Sequence, residues 1–157
     1  MRILGVDPGT LQCGWGIVDQ EQSDPVLRSS GTIRIRASLT LPERLHRLFQ
    51  ELKIVIEKHS PQAIALEDTF LAKNVKAAFS LGQARGIVVL LSSLHKIPVS
   101  FYTALQIKKT VTGYGRAEKT QVSQMLGYYF PGEKFSSLDS SDAIACALCH
   151  LRHRTPY

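Results

Sequence analysis

Residues 63–66 of this chain, Ala-Ile-Ala-Leu, are apolar at every position, so a strand formed there is apolar on both sides of its pleat. Such a strand is typical of a sheet that helices cover on both faces. A second apolar run, Ile3–Val6, is another strand candidate, and an Asp-Pro-Gly-Thr turn follows it. We therefore expect a layered α/β domain.

The hydrophobic pattern of the whole chain fits the same kind of domain. We expect residues 1–157 to form a single domain. Three strand candidates follow one another, and the last two alternate with helices. Strands joined by short turns pair antiparallel, whereas strands joined through a helix form right-handed parallel crossovers, so we expect a mixed five-stranded sheet flanked by helices. The predicted strands are Ile3–Val6, Gly14–Asp19, Ser30–Arg36, Ala63–Leu66 and Val99–Tyr102, and the predicted helices are Pro42–Lys58, Asn74–His95, Ala104–Thr112, Ala117–Phe130 and Ser140–Arg152.

The charge balance favours a polyanionic partner. The chain carries 19 Lys and Arg against 13 Asp and Glu, a formal net charge of +6, which leaves DNA, RNA and an acidic membrane surface as alternatives. The longest uninterrupted apolar run, residues 143–149, is too short to cross a bilayer, and the N-terminus lacks a signal-peptide pattern. We expect a cytoplasmic protein with no membrane partner and, because its three cysteines are an odd number, free thiols.

Two strand candidates end in a carboxylate, Asp7 after Val6 and Glu67 after Leu66. Burying a carboxylate costs free energy unless a cation or hydrogen-bond donors meet it. Asp7 alone could be explained as a turn residue before Pro-Gly, but Glu67 could not, because Glu is a poor former of both turns and strands.

Asp139 and Asp142 lie three residues apart at the start of the last predicted helix and so share one face. Asp139 or Ser140 alone could be a helix cap. Two carboxylates about 4 Å apart repel by roughly 4 kcal/mol at an effective dielectric near 20, so bringing these acids together with Asp7 and Glu67 would require cations. Carboxylate oxygens without His or Cys favour Mg²⁺ or Mn²⁺ over zinc.

Six short motifs, in this order across nearly the whole chain, resemble the bacterial RuvC Holliday-junction resolvases. They are LGVDPGT at 4–10, ALE at 65–67, FLAKN at 70–74, LGQARG at 81–86, GRAEK at 115–119 and DSSDA at 139–143. The resemblance implies a ribonuclease H-like fold, a homodimer and Mg²⁺-dependent nicking of two symmetric strands of a four-way DNA junction. It also implies a complex with a branch-migration helicase.

The resemblance assigns roles to individual residues by motif position. It implies two Mg²⁺ per active site, with Mn²⁺ as a substitute, bound by Asp7, Glu67, Asp139 and Asp142. Two such ions would activate a water and stabilise the charge on the attacking and leaving oxygens of the phosphodiester.

Further residues are expected to contact DNA. By motif position Lys108 and Lys119 match the family's active-site lysines and Phe70 its base-stacking aromatic. Lys119 would add positive charge at the scissile phosphate, and the alternative for both lysines is contact with other backbone phosphates. Base stacking on an aromatic ring is worth roughly 1 to 3 kcal/mol. The other expected DNA contacts are Lys73, Lys76, Lys109 and Arg116.

Two features depart from simple expectation. Asp68 follows Glu67 where the family that the chain resembles usually carries an uncharged side chain; its role stays open, and a bystander that titrates with the acidic cluster is one alternative. In the second predicted helix, apolar residues surround the axis from 77 to 91, with Phe79 expected in the core, which favours a second subunit over packing on the chain's own sheet alone.

Several other interpretations carry less weight. Residues 146–150, Cys-Ala-Leu-Cys-His, spell a haem-attachment pattern but lie within a strong helical pattern. The Asp-x-Gly-Thr turn also occurs in two-domain ATPases of the actin and sugar-kinase type, which need a second domain to close over ATP. A catalytically inactive junction-binding module should lack one of the four acids. A ribonuclease H-like enzyme that acts on RNA would carry the same metal site.

Overall fold

The chain forms a five-stranded sheet flanked by helices, in a computed structural model that describes residues 1–22, 24–68, 75–133, 135 and 137–153. The strand order is β3-β2-β1-β4-β5, with β1, β2 and β3 antiparallel, β4 parallel to β1 and β5 parallel to β4. This topology confirms the predicted mixed sheet. The elements are β1 (Arg2–Asp7), β2 (Gln12–Glu21), β3 (Asp24–Arg34), α1 (Leu41–His59), β4 (Ala63–Asp68), α2 (Val75–Leu94), β5 (Val99–Thr103), α3 (Ala104–Thr112), α4 (Lys119–Tyr129) and α5 (Leu138–His153).

The hairpin of β2 and β3 is longer than the sequence pattern predicts. Its pairing runs from Gln12 opposite Arg34 to Glu21 opposite Asp24, so β3 begins six residues before the predicted start at Ser30. The added residues lie on an edge strand and are mostly half-buried or exposed. The added residues, Asp-Pro-Val-Leu-Arg-Ser, show no apolar–polar alternation, because at an edge cross-strand pairing rather than side-chain burial holds the strand in place.

Helices cover the two faces of the sheet and form two apolar cores. On one face Ala63 and Ala65 pack in a cluster with residues of α3, α4 and α5. On the other, Ile64 and Leu66 pack in a cluster with residues of α1 and α2. Successive side chains of a strand point to opposite faces. The expected burial of residues 63–66 on both sides is therefore confirmed.

Helix α2 is the least covered of the long helices. Its inward residues, Ala84, Val88 and Leu91, are fully buried, whereas Phe79 is 69% exposed. Our expectation that Phe79 lies in the core is wrong, because at 100° per residue it stands about 140° around the helix from Ala84. By length and composition α2 is also the one helix in the described ranges that could cross a membrane, which for a single helix is weak evidence.

Candidate active site

The four predicted acids lie on three elements that meet at one edge of the sheet. Asp7 ends β1 and Glu67 lies near the end of β4, and these neighbouring strands run parallel with Val6 beside Leu66. Their carboxyl ends therefore share an edge, where open α/β sheets place their ligand sites. Asp139 and Asp142 lie in the first two turns of α5, which packs across β1, β2 and β4.

Three glycines allow α5 to approach this edge closely. A Cβ atom on Gly14, the register partner of Asp7, would stand 2.0 Å from the backbone oxygen of Asp139. A Cβ atom on Gly5 would stand 1.9 Å from the backbone oxygen of Ala143, and one on Gly16 would stand 2.6 Å from the Ile144 side chain. Our sequence reasoning missed these positions. The available signal was the pairing of Gly-x-Asp in the first strand with Gly-x-Gly in the second, opposite a helix rich in alanine.

A hydroxyl network fixes the start of α5. The backbone N–H of Ser140 donates to Ser137 Oγ at 3.1 Å, and Ser140 Oγ donates to the Ser137 carbonyl oxygen at 2.8 Å. Thr32 Oγ1 of β3 lies 2.6 Å from Ser137 Oγ, which ties the helix to the sheet. Ser137 thus takes the capping position that the sequence suggested for Asp139 or Ser140. The Asp139 carboxylate is not needed as a cap.

The acids perturb one another electrostatically. Burial raises the pKa of Asp7 to about 7, and the negative charges of Asp142, Glu67 and Asp139 add to that rise. Burial followed by the charge of Asp142 also raises the pKa of Glu67. Repulsion of Asp7 by three carboxylates requires that they lie near it in one poorly hydrated site. The structure therefore brings together the four acids that the sequence singled out.

Two lysines complete the cluster. Lys119 Nζ donates to Asp142 Oδ2 at 2.7 Å, and this bond raises the pKa of Lys119. The positive charge of Lys119 lowers the pKa of Asp7 and Glu67, and that of Lys108 lowers the pKa of Glu67. Both lysines line a cleft of about 150 Å³ together with Glu67 and Asp142.

The chemistry of this donor set fits a hard divalent cation. As the side chains stand, no group of three His, Cys, Asp or Glu among the described residues could hold a metal ion, and Asp142 is engaged by Lys119. The donors at the site are carboxylate oxygens, which suit Mg²⁺ or Mn²⁺. Burial first, and the neighbouring carboxylates second, raise the pKa of Asp7 and Glu67, and a bound cation would favour the ionised form of both against these effects.

Comparison with known proteins identifies the family. A family model described as crossover junction endodeoxyribonuclease RuvC matches residues 3–150. This chain belongs to the RuvC family. It is 38% identical to crossover junction endodeoxyribonuclease RuvC of Magnetococcus marinus, with 98% of this chain and 86% of the relative covered. It is 44% identical to the protein of the same name from Xanthobacter autotrophicus, over 98% of this chain and 91% of the relative.

A solved structure agrees with this assignment. Thermus thermophilus RuvC in complex with Holliday junction substrate superposes with a TM-score of 0.92 at 26% sequence identity, covering 98% of this chain and 94% of that chain. The RuvC resemblance and the ribonuclease H-like fold expected from the six motifs are confirmed.

The other predicted DNA-contacting residues either do not line this cleft or lie outside the described residues. Lys76, Lys109 and Arg116 are exposed and are not among the described residues that line the cleft. Phe70 and Lys73 lie outside the described residues.

Asp68 does not join the acidic cluster. As the neighbour of Glu67 in a strand, it points to the opposite face of the sheet, where its Oδ1 lies 2.9 Å from Arg85 Nη2 of α2. Strand alternation thus separates two residues that are adjacent in sequence.

Proposed function

We propose that this RuvC-family chain is a DNA-cleaving hydrolase that resolves Holliday junctions by divalent-metal-dependent nicking of two symmetric strands. The observation that carries the proposal is the meeting of Asp7, Glu67, Asp139 and Asp142 from three elements at the carboxyl edge of the sheet. Membership of the family supplies the substrate, because the matched relatives are named crossover junction endodeoxyribonucleases.

The side chains divide the chemical work. When bound, two Mg²⁺ or Mn²⁺ ions would supply positive charge at the phosphodiester and make a water available as hydroxide near neutral pH. Asp7, Glu67, Asp139 and Asp142 would hold the ions, for which Asp7 must lose a proton because its pKa is about 7. Lys119 favours that loss by lowering the pKa of Asp7. Its side chain is 66% exposed, so its charge can also meet a substrate phosphate.

The decisive experiment compares three substrates. A synthetic four-way junction, a linear duplex and an RNA hairpin are each incubated with the protein in Mg²⁺ or in EDTA. We expect paired nicks in the junction only, and only with Mg²⁺. Cleavage of the RNA hairpin at a comparable rate would instead favour a ribonuclease. Junction cleavage that persists in EDTA would refute the metal assignment.

We also propose that the protein is a homodimer joined through α2. This helix leaves Val75, Phe79 and Leu94 more than half exposed. At Gly82 and Gly86 an added Cβ would meet nothing within 4 Å, so the helix surface is open to close approach. A two-fold dimer would present two identical sites to the two equivalent strands of a junction.

Sedimentation tests the dimer with a matched pair of variants. Phe79→Asp should convert the protein to a monomer at micromolar concentration. Ile54→Asp places the same charge on α1 at a residue that is 57% exposed and should leave the dimer intact. A dimer that survives Phe79→Asp would contradict the proposal.

The DNA contacts remain proposals from the sequence motifs. Phe70 would stack on a base, and Lys73, Lys76, Lys108, Lys109, Arg116 and Lys119 would contact phosphates, which predicts binding that weakens steeply with salt. Phe70→Ala should reduce junction cleavage without reducing Mn²⁺ binding, and equal losses of both would remove its stacking role. We further propose a branch-migration helicase as a partner, which the family resemblance implies, and a cytoplasmic location.

A further inference from the structure

We infer that Asp68, Arg85 and Phe101 form a positioning bridge that holds the Glu67 end of β4 in the geometry needed for cleavage. The inference rests on the proposed function, because it concerns the rate of that reaction. It assigns a role to Asp68, the residue that directly follows Glu67 in the chain.

The end of β4 lacks a strand neighbour on one side. Pairing of β4 with β1 ends at Leu66 beside Val6, one residue before Glu67. Pairing with β5 continues through Glu67 beside Tyr102 to Asp68 beside Thr103. Beyond Leu66 the register pairs of β4 therefore lie on the β5 side, and Asp68, the last residue of β4, extends past the end of β1 at Asp7. An unpaired strand end moves more than a paired one unless a side chain anchors it.

The ion pair between Asp68 and Arg85 supplies that anchor. Asp68 Oδ1 lies 2.9 Å from Arg85 Nη2, and the two side chains are only 21% and 23% exposed. Water screens such a pair less than it screens a fully exposed one. Arg85 belongs to α2, and the turn that carries it is fixed on the sheet side by Ala84 and Val88, which are buried.

Phe101 holds the guanidinium in place. The Arg85 Cζ atom lies 5.2 Å from the centroid of the Phe101 ring, which is within the range of a cation–π contact. Phe101 is the register partner of Leu66 on β5 and so points to the same face as Asp68. The guanidinium of Arg85 on α2 thus contacts Phe101 of β5 and Asp68, the last residue of β4, which directly follows Glu67.

Five variants test the bridge. They are Asp68→Ala, Arg85→Met, the double variant of these two, Arg85→Lys and, as a stability control, Asp19→Asn. Asp19 accepts from Arg2 and Arg28 at 2.8 Å each, so its replacement weakens an ion-pair network around a more buried carboxylate near the opposite end of the strands. For each protein three quantities are measured: the single-turnover cleavage rate of a four-way junction, the Mn²⁺ concentration for half-maximal rate, and junction affinity in EDTA.

Mutation of residues that support metal ligands commonly lowers activity or metal affinity 10- to 100-fold. We therefore expect Asp68→Ala to lower the cleavage rate about tenfold and to raise the Mn²⁺ concentration needed for half-maximal rate. Junction affinity should stay within about twofold, since removing a negative charge does not weaken DNA binding. The double variant should lose no more than the worse single variant, as expected of residues that act as a unit. Arg85→Lys, which keeps the ion pair, should retain most of the rate.

Three outcomes would overturn the inference. In the first, Asp68→Ala cleaves within twofold of the wild type. In the second, Asp19→Asn shows the same loss of rate and the same shift in Mn²⁺ dependence, which would reduce the effect to general stability. In the third, the losses of the single variants add in the double variant. If the wild-type protein itself fails to cleave the junction, the proposed function and this inference are both overturned. The three outcomes above, in contrast, overturn the inference while the wild type still cleaves.

Discussion

Replacing Asp7 with asparagine should stabilise the metal-free protein while abolishing cleavage. Burial and three neighbouring carboxylates raise the pKa of Asp7 from its ordinary 3.8 to about 7. Because the folded pKa is the higher one, ionised Asp7 destabilises the fold. The penalty is absent below pH 3.8, grows between pH 3.8 and about 7, and is constant at higher pH.

The shift sets the size of the effect. A difference of about 3 pKa units, at about 1.4 kcal/mol each, corresponds to a penalty of about 4 kcal/mol above pH 7. Asparagine removes the charge but keeps part of the cost of burying a polar group, so we expect a gain of about 2 kcal/mol in the free energy of unfolding at pH 8. For a domain of this length, that gain corresponds to a rise in Tm of about 4 to 8 °C.

Thermal unfolding in EDTA at pH 5 and pH 8 measures the gain. At pH 5 the wild-type penalty is less than half developed, so the variant should gain correspondingly less. Added Mg²⁺ or Mn²⁺ should raise the Tm of the wild type at pH 8 and raise that of Asp7→Asn much less, because the variant lacks one ligand. The matched control is Asp24→Asn, which removes an exposed carboxylate and should change stability by less than about 0.5 kcal/mol.

The same variant should bind a four-way junction and fail to nick it. A lower Tm at pH 8, or an equal gain at both pH values, would refute the account of Asp7 as a repelled, poorly hydrated carboxylate. Nicking at near the wild-type rate would refute its role as a metal ligand.

Two further predictions concern the packing of α5 and the charge of Lys119. Gly14→Ala places a methyl group only 2.0 Å from a backbone oxygen, so it should lower the free energy of unfolding by about 1 to 3 kcal/mol and reduce cleavage. The control is Gly127→Ala, where an added Cβ meets nothing within 4 Å and the free energy of unfolding should stay the same or rise. Urea unfolding measures both variants. Lys119→Gln removes the charge that lowers the pKa of Asp7 and Glu67, so the pKa of both acids should rise. The rising limb of the cleavage rate plotted against pH should therefore move to higher pH. A rising limb that stays in place would contradict this prediction.

Much of the fold was predictable because it rests on local patterns. The apolar run at 63–66 predicted a strand buried on both faces, and that strand does divide its side chains between two cores. The first six residues of β3 were missed because they are held by pairing with β2, which leaves no periodic pattern at an edge. Phe79 was placed in the core because α2 is apolar nearly all round, and composition alone does not say which face is covered.

The acids of the site were predictable for a different reason. A carboxylate at the end of an apolar strand is costly wherever the chain goes, so Asp7 and Glu67 stood out without a structure. The contacts that hold these acids in place could not be recognised from the sequence. The approach of Gly14 to the Asp139 backbone and the hydrogen bond between the Thr32 and Ser137 hydroxyls join positions more than a hundred residues apart. No local pattern marks them.

The sequence by itself determined which groups are costly to bury, which segments form strands and helices, and to which family the motifs are similar. Only the tertiary structure decided which of these groups meet, since burial and repulsion depend on distances that the fold sets. Asp68 shows the difference. It is adjacent to Glu67 in the chain, yet the alternation of a strand turns it to the other face and pairs it with Arg85.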